Sequence, residues 1–408
     1  AILKACVRLS KTGNAECGTA CRPRRACPEA HSCGVALLAK GYGHYRQSAS
    51  CTCTLQITQR PYAINQRCLK SLRYFFALSA VASVQLTAVF AQQNTELPDL
   101  PNSYTSYENI VTLPAGREMG SGNAIDVDSE GNIWVFERCG ANTCTGSDVD
   151  PILKFGPDGN LLTSFGAGMF VFPHGIVLDA DDNVWIVDAG VEENTKGNQI
   201  FKFNQRGELL LELGQPGVRG ETNELFNEPS DLAIAPNGDI YVVDGHIAQR
   251  SNGRIVHLSP EGEFIEAWGN KGDGPLEFDC PHSIAIDSQG RIFVGDRTNN
   301  RIQILSPNGE YIDEWTQFGR PSGVRILNDV LYVVDSESRA IEGQYGYNPG
   351  FHRGIRIGSV NDGIVREFIP DPGPHGGTSF PEGIAVDEYG QIWGLSVGDH
   401  KASKFVRN

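Results

Sequence analysis

The sequence predicts an all-β protein, a six-bladed β-propeller with four antiparallel strands in each blade and a ring closed by an N-terminal strand. Three observations support this fold class. The body of the chain contains six copies of a strand–turn–strand unit, most copies are followed by a second hairpin, and no segment has the pattern of a long amphipathic helix. Four short strands per unit, repeated about every 50 residues, are typical of propeller blades.

Each unit consists of two alternating apolar runs around a short polar turn, which is the pattern of a β-hairpin. The six units occupy residues 123–137, 174–188, 230–244, 282–296, 322–335 and 382–396. Segments such as RIVHLSPEGEFIEAWG (254–269) and RIQILSPNGEYIDEW (301–315) repeat the hairpin pattern after a unit and supply the two outer strands of a blade.

The last unit lacks one outer strand, because the chain stops soon after KASKFV (401–406). The segment YENIVTLP (107–114) precedes the first unit and is predicted to supply this strand, which closes the ring. The predicted propeller therefore spans 105–408, and the Pro-containing stretch 92–104 is predicted to be a linker.

The first 91 residues differ from the rest of the chain, with 12 basic residues, two acidic residues and eight of the 11 cysteines. Within them, 67–91 has a basic start, an apolar run and small residues before Ala91, as in a secretory signal peptide. Polar residues interrupt the apolar run, which favours a cleaved signal over a stable membrane anchor. Cleavage near Ala91 would make the mature protein secreted or periplasmic.

A Cys-rich leader, 1–66, precedes the predicted signal peptide. Because signal peptides stand at N-termini, this leader is not expected to be part of the natural product. The alternative is a genuine leader of zinc or disulfide type, although its cysteine spacings match no standard zinc pattern.

The remainder of the chain is acidic, since it holds 22 of the 34 basic residues and 47 of the 49 acidic residues. Nucleic-acid binding needs clustered Lys and Arg, so the composition argues against a nucleic-acid partner. A small-molecule or peptide substrate is the expected partner.

Two histidines and a glutamate occupy matching positions in alternate units. His174, His282 and Glu382 each lie 11 residues before the aligned aromatic residue of the second, fourth and sixth units, and each follows a proline. Equivalent positions in a closed ring lie on a circle around its axis, so these side chains can converge at the channel mouth. Three such ligands with open coordination positions suit a catalytic divalent metal. Two histidines and one carboxylate also suit non-haem iron, and a Pro-His-Gly turn with a capping histidine is the structural alternative.

Other polar positions have simpler interpretations. Cys139 and Cys144 can close a small disulfide loop in an oxidising compartment, which leaves Cys280 as the odd cysteine, expected to be buried. Aspartates recur at the strand ends of most units, and this recurrence favours structural bonding over catalysis. These aspartates are Asp188, Asp244, Asp296 and Asp335.

The segments EPSDLAIAPNGDIYVVDGH, GRIVHLSPEGEFIEAWG and CPHSIAIDSQGRIFVGDRTNNRIQIL resemble NHL-repeat propellers, and more narrowly peptidyl-α-hydroxyglycine α-amidating lyase. The resemblance covers nearly all of 120–408. It implies a six-bladed propeller with a zinc ion held by three histidines, a structural calcium, and catalytic arginine and tyrosine residues. It also implies cleavage of a peptidyl-α-hydroxyglycine, or a related hemiaminal, to an amide and glyoxylate.

Carried over by position, the resemblance makes His174 and His282 zinc ligands, Arg138 the catalytic arginine and Arg297 a second arginine of the site. Either arginine has a structural alternative, which is to balance the carboxylate that precedes it in the chain.

Three positions depart from the family pattern. Glu382 replaces the third histidine, Gly383 replaces the aspartate that follows it, and His246 stands where the family has its catalytic tyrosine. His246 is therefore a candidate catalytic residue that would take the proton of the substrate hydroxyl, as would a metal-bound hydroxide.

Three functions remain open from the sequence. The first is the metal-dependent lyase. The second is another metal-dependent propeller enzyme, either a lactonase-like hydrolase or an iron-dependent oxidoreductase. The third is a non-enzymatic NHL propeller that binds protein or glycan.

Overall fold

Six four-stranded antiparallel sheets form the ring. The computed structural model describes residues 100–246, 251–373 and 380–408, so the predicted leader, the signal peptide and the linker up to residue 99 lie outside the described residues. Within these three ranges no residue is helical, and hence no helix could span a membrane. The all-β six-bladed propeller is confirmed.

In every blade the innermost strand lies at the axis and the outermost at the rim. From the axis outwards, the first three blades contain Ala124–Val127, Ile133–Phe136, Ile152–Phe155 and Leu161–Phe165; Pro173–Leu178, Val184–Glu192, Lys196–Phe203 and Leu209–Leu213; and Pro229–Ile234, Ile240–Asp244, Arg254–Leu258 and Phe264–Trp268. The last three contain Pro281–Ile286, Ile292–Asp296, Arg301–Leu305 and Tyr311–Trp315; Gly323–Leu327, Val330–Asp335, Gly354–Ser359 and Val365–Pro370; and Pro381–Val386, Ile392–Ser396, Ala402–Arg407 and Tyr104–Glu108. A short parallel pair, Asn270–Lys271 with Glu277–Phe278, precedes the fourth blade.

The N-terminal strand closes the ring as predicted, but it begins earlier than expected. Tyr104–Glu108 pairs antiparallel with Ala402–Arg407, whereas the sequence pattern suggested 107–114. Asn109 has a φ of 55°, in the left-handed region, and this turn ends the strand. Tyr104 at the start of the strand is buried, so the apolar anchor of the closing strand lies in what was predicted to be linker.

Apolar clusters fill the spaces between neighbouring blades, and each of the six clusters combines residues of two adjacent blades. Phe170 is fully buried between the first two blades and meets Phe136 edge-on with ring centroids 4.9 Å apart. Because each blade buries one face against each neighbour, the ring holds its innermost strands at fixed positions around the axis.

The aligned aromatic of several units is fixed by a turn carboxylate. The indole nitrogens of Trp134 and Trp185 donate hydrogen bonds to Asp128 and Asp179 at 3.0 and 3.1 Å. The same carboxylates accept backbone N–H groups of the turn, so one acidic residue closes the hairpin and orients the aromatic ring.

The aspartates at the strand ends have the structural role that their recurrence predicted. Each is fully buried and accepts backbone N–H groups from the segment that enters its blade. Asp188, for example, accepts from Val171 and Phe172 at 2.9 and 2.6 Å. The other three accept from Asn227, Asp279 and Arg320.

Candidate metal and catalytic site

Irregularities in the innermost strands direct one residue of the second, fourth and sixth blades towards the axis. The strand register shifts between Pro173 and Gly175, between Pro281 and Ser283, and between Pro381 and Gly383. The unpaired residues at these three shifts are His174, His282 and Glu382. The third blade has the same shift between Pro229 and Asp231, where Ser230 is unpaired. A β-bulge changes the direction of the side chain of the residue it contains. The proline that precedes each of these residues is therefore the sequence signal of the bulge.

Both histidines are oriented by the neighbouring blade. Nδ1 of His174 lies 2.7 Å from the carbonyl oxygen of Ser230, and Nδ1 of His282 lies 2.6 Å from that of Ser322. A carbonyl oxygen only accepts hydrogen bonds, so in each histidine Nδ1 carries the hydrogen and Nε2 bears the lone pair. The Nε2 atom of His174 lies 3.2 Å from Nδ2 of Asn123, which can donate a hydrogen bond to it. This arrangement is the one by which metal-binding histidines are usually held.

His246 joins the two histidines. Ligand atoms of His174, His246 and His282 all lie within 4.8 Å of one another. The ring centroid of His246 is 4.1 Å from that of His174 and 5.3 Å from that of His282. The structure therefore places a predicted catalytic residue beside the two predicted metal ligands.

All three imidazoles are held in the neutral form. Burial lowers the pKa of His174, His246 and His282 well below the usual value, and neighbouring positive charges, including those of Arg138 and Arg297, lower it further. Neutral imidazole is the form that binds a metal ion.

Glu382 reaches the same cluster. Its Oε1 atom lies 3.2 Å from Nε2 of His282 and 2.8 Å from Nη1 of Arg297. His282 Nε2 is buried and forms no hydrogen bond. An imidazole lone pair and a carboxylate oxygen at this distance repel each other unless a proton or a cation lies between them.

The donor set fits a divalent metal ion. A proton on His282 Nε2 is disfavoured because the pKa of this residue is lowered well below its usual value. Imidazole nitrogen and carboxylate oxygen are both ligands of zinc, and the orphaned nitrogen is the atom that a bound ion would satisfy. His174, His246 and His282 could hold the ion, with Glu382 as the fourth group directed at it.

Arg138 lies next to this cluster, at the end of the second strand of the first blade. Its guanidinium carbon lies 3.7 Å from the centroid of the Phe172 ring, Nε donates to the Pro173 carbonyl at 3.2 Å, and Nη1 donates to Asn142 at 2.7 Å. Burial lowers the pKa of Arg138 to about 10, and Glu382 opposes this shift. The guanidinium stays charged at neutral pH and can bind an anionic group.

The predicted disulfide beside Arg138 is present. Cys139 and Cys144 are bonded, with Cα atoms 5.1 Å apart, and Asn142 lies inside the loop that they close. Cys280 is free and buried, as expected.

Arg297 faces acidic groups. Its Nη1 atom lies 2.8 Å from Glu382 and 3.6 Å from Glu337, and Nη2 lies 3.2 Å from the Cys280 sulfur. Burial alone would lower the pKa of Arg297, and these acidic neighbours instead raise it well above its ordinary value. Arg297 therefore pairs with Glu382. The alternative from the sequence was that Arg297 balances the charge of Asp296, the residue that precedes it.

Several residues of the site gave no signal in the sequence. Glu337 pairs with Arg320 at 3.0 Å, and the guanidinium of Arg320 lies 4.9 Å from the ring of Tyr345. Tyr345 itself remains 56% exposed to solvent. Glu337 and Tyr345 lie in the long connection between Val330–Asp335 and Gly354–Ser359, outside the repeated hairpins, so repeat alignment could not reveal them.

The residues do not fit the structural calcium that the resemblance implies. Gly383 replaces the family's aspartate, and a Cβ atom there would lie 1.4 Å from the carbonyl oxygen of Asn123, so this backbone admits no side chain. The axial cavity is instead lined by the cationic side chain of Arg325.

Comparisons with known proteins agree with the propeller fold and with the resemblance. The NHL repeat family matches residues 226–258 and 278–305. The chain is 34% identical to human NHL repeat-containing protein 3 over 47% of this chain and 54% of that protein. It is 30% identical to peptidyl-alpha-hydroxyglycine alpha-amidating lyase 1 of Drosophila melanogaster over 47% of this chain and 38% of that protein. The resemblance to the amidating lyases is confirmed.

Mouse peptidyl-glycine alpha-amidating monooxygenase is 32% identical over 44% of this chain and 18% of that protein. The chain thus spans between about a fifth and about half of the length of these relatives. The solved structure of a protein named as a putative gluconolactonase superimposes with a TM-score of 0.50 and 13% identity, over 77% of this chain and 96% of that chain. This match shows the fold alone.

Proposed function

We propose that this protein is a metal-dependent lyase that cleaves a peptidyl-α-hydroxyglycine, or a related hemiaminal, to an amide and glyoxylate. The observation that carries the proposal is the convergence of three neutral imidazoles and one carboxylate beside a charged arginine. Relatives named as amidating lyases support the reaction class.

The ligands in this proposal are His174, His246 and His282. Glu382 was expected to be the third ligand and His246 a catalytic residue, and the geometry favours the opposite assignment because His246 clusters with the other imidazoles. Zinc is the proposed metal, since histidine nitrogens with an adjacent carboxylate are typical of catalytic zinc sites. When bound, such an ion polarises a substrate oxygen and eases loss of its proton.

The remaining residues supply charge and proton transfer. Arg138 binds the carboxylate of the substrate, because its guanidinium is charged and adjoins the cluster. Glu382 takes the proton of the substrate hydroxyl and delivers it to the amide nitrogen as the carbon–nitrogen bond breaks. The electrons of the O–H bond form the aldehyde carbonyl, so one proton is moved and no oxidant or reductant is required. Arg297 restrains Glu382 through the 2.8 Å contact.

The test is glyoxylate release from a synthetic hydroxyglycine peptide by zinc-loaded protein. His246→Ala is expected to lose metal and turnover together, whereas Glu382→Gln is expected to keep the metal and lose turnover. Release of no glyoxylate by metal-loaded wild type would refute the lyase. Loss of metal in Glu382→Gln with retention in His246→Ala would restore Glu382 as the third ligand.

A non-enzymatic propeller is the second candidate. Arg297 already pairs with Glu382 and Glu337, so it is not free to bind an anionic substrate. Human NHL repeat-containing protein 3 is as similar in sequence to this chain as the lyases are, and its name does not describe an enzymatic activity. Bound zinc without glyoxylate release would favour this candidate.

We further propose that the mature protein is secreted or periplasmic and begins near Gln92. The disulfide Cys139–Cys144 supports this location, since disulfides persist in oxidising compartments. N-terminal sequencing of natural material tests it, and a start within the leader 1–66 would contradict it.

A further inference from the structure

A second set of charged residues lies on the innermost strands of the other three blades. Asp126, Asp231 and Arg325 belong to the first, third and fifth blades, on Ala124–Val127, Pro229–Ile234 and Gly323–Leu327. Asp231 and Arg325 line a small axial cavity that His174 and His282 also line. Its volume of about 20 Å³ leaves room for about one water molecule.

These residues connect the blades through specific contacts. Arg325 Nη1 lies 3.1 Å from Asp231 Oδ2, which links the fifth blade to the third across the axis. Asp126 accepts the backbone N–H of Leu178 at 2.8 Å, and Asp231 accepts that of Ile284 at 3.3 Å. Each carboxylate therefore ties its own blade to the next one in the ring.

The charges of the set depend on one another. Burial raises the pKa of Asp126 and of Asp231, and in both cases the positive charge of Arg325 opposes that shift. Burial alone would lower the pKa of Arg325, and the two carboxylates raise it. The charge of Asp231 also raises the pKa of Asp126, so the two carboxylates repel each other and a nearby cation lowers this cost.

We propose that the guanidinium of Arg325 is the built-in cation of the axial channel, holding Asp126 and Asp231 so that the propeller folds without a channel metal ion. The guanidinium occupies the only cationic position that the described residues offer on the cavity wall. Gly383 provides no carboxylate there, and a Cβ atom added to it would lie 1.4 Å from the Asn123 carbonyl oxygen. The propeller should consequently be independent of calcium.

Wild-type protein tests this directly. The full chain is treated with a calcium chelator, reloaded with zinc at the histidine cluster, and analysed for calcium content and thermal unfolding. We expect no bound calcium and no change in Tm when millimolar calcium chloride is added. Stoichiometric calcium, or a Tm that rises with calcium, would overturn the proposal.

Variants test the role of the side chain. Arg325→Met is expected to lower Tm by about 10 °C, because it leaves two carboxylates without their cation, and added calcium should recover part of this loss. Arg325→Lys keeps a cation and is the matched control, expected to lie closer to wild type. The triple variant Asp126→Asn, Asp231→Asn, Arg325→Met removes all three charges and should be more stable than Arg325→Met alone. A triple variant no more stable than the single one would contradict the charge argument, even if Arg325→Met failed to fold.

Discussion

Two sets of polar side chains lie around the same axis. One set is on the second, fourth and sixth blades (the even blades), and the other is on the first, third and fifth blades (the odd blades). They differ in whether every buried polar atom has a hydrogen-bond or ion-pair partner. The even-blade residues His174, His282 and Glu382 meet at the mouth and leave the buried Nε2 of His282 without a hydrogen bond. On the odd blades Arg325 pairs with Asp231, Asp126 accepts the backbone N–H of Leu178, and none of their described side-chain atoms is buried without a partner.

The difference separates binding from stability. A buried polar group without a partner is costly, so an unsatisfied nitrogen beside a carboxylate indicates a site that something else completes. The carboxylates and the guanidinium of the odd blades already have partners, so they need no added ligand. Their contribution is to hold the blades together. Alternate blades thus use equivalent strands for two different purposes.

The largest expected effect is loss of the metal at the mouth. His282→Ala removes one of the three proposed imidazole ligands. Metal affinity should therefore fall by more than the roughly 10- to 100-fold that follows loss of an outer hydrogen-bond partner of a ligand. Turnover should fall with it. Elemental analysis of the purified variant, and zinc titration monitored by Tm, measure the effect.

His257→Ala is the matched control for that variant. His257 is also buried, but it stacks on Tyr241 and pairs with Asp239 at 3.0 Å on an outer strand. It should retain the metal while losing some stability. Equal metal content in His282→Ala and His257→Ala would show that the mouth is not a metal site.

Arg138→Ala is expected to have the next largest effect, on turnover alone. Removal of one preorganised donor to a developing or resident negative charge costs roughly 100- to 1000-fold in rate. Metal content should be unchanged, because Arg138 contacts Phe172, Pro173 and Asn142 and none of the imidazoles by hydrogen bond. Steady-state glyoxylate release by wild type, Arg138→Lys and Arg138→Ala measures this effect. A parallel loss of metal in Arg138→Ala would make its role structural.

The fold and part of the site could be predicted because they follow from short-range patterns. Hairpin periodicity gave the blades, and the shared position before each aromatic placed His174, His282 and Glu382 on one ring. The place of His246 could not be predicted in this way, because it lies beyond a strand end where the repeat imposes no register. The pairing of Arg297 with Glu382 joins blades four and six, and only the closed ring brings such distant segments together.

The two sets should respond to acid with opposite signs. The pKa values of His174 and His282 are lowered on folding, so in metal-free protein their contribution to stability is present above the unfolded pKa of about 6.5 and is lost as pH falls below it. The loss is at most about 1.4 kcal/mol per histidine for each pH unit. The pKa values of Asp126 and Asp231 are raised, so protonation as pH falls relieves a cost of folding.

Arg325→Met sharpens this contrast, since it leaves both carboxylates uncompensated. The difference in unfolding free energy between wild type and Arg325→Met should be largest near pH 7.5 and should shrink towards about pH 5 as the carboxylates bind protons. Urea denaturation of the metal-free proteins at both pH values measures it. A gap that stays constant, or widens in acid, would exclude carboxylate repulsion as its cause.

The smallest expected effect on turnover comes from the disulfide beside Arg138. Cys139→Ser with Cys144→Ser opens a loop of six residues, and the chain-entropy model gives a loss of roughly 2 kcal/mol in the free energy of unfolding. The loop also carries Asn142, which accepts a hydrogen bond from Arg138 Nη1 at 2.7 Å. Loosening it should therefore raise KM for an anionic substrate by less than about tenfold while metal content and kcat stay near wild type.

Asn142→Ala, which removes the hydrogen bond and keeps the disulfide, should reproduce the KM effect without the loss of stability. If the Cys139→Ser, Cys144→Ser variant instead loses metal, the loop supports the imidazole cluster itself, and the mouth would be a single cooperative unit rather than a metal site with a separately braced arginine.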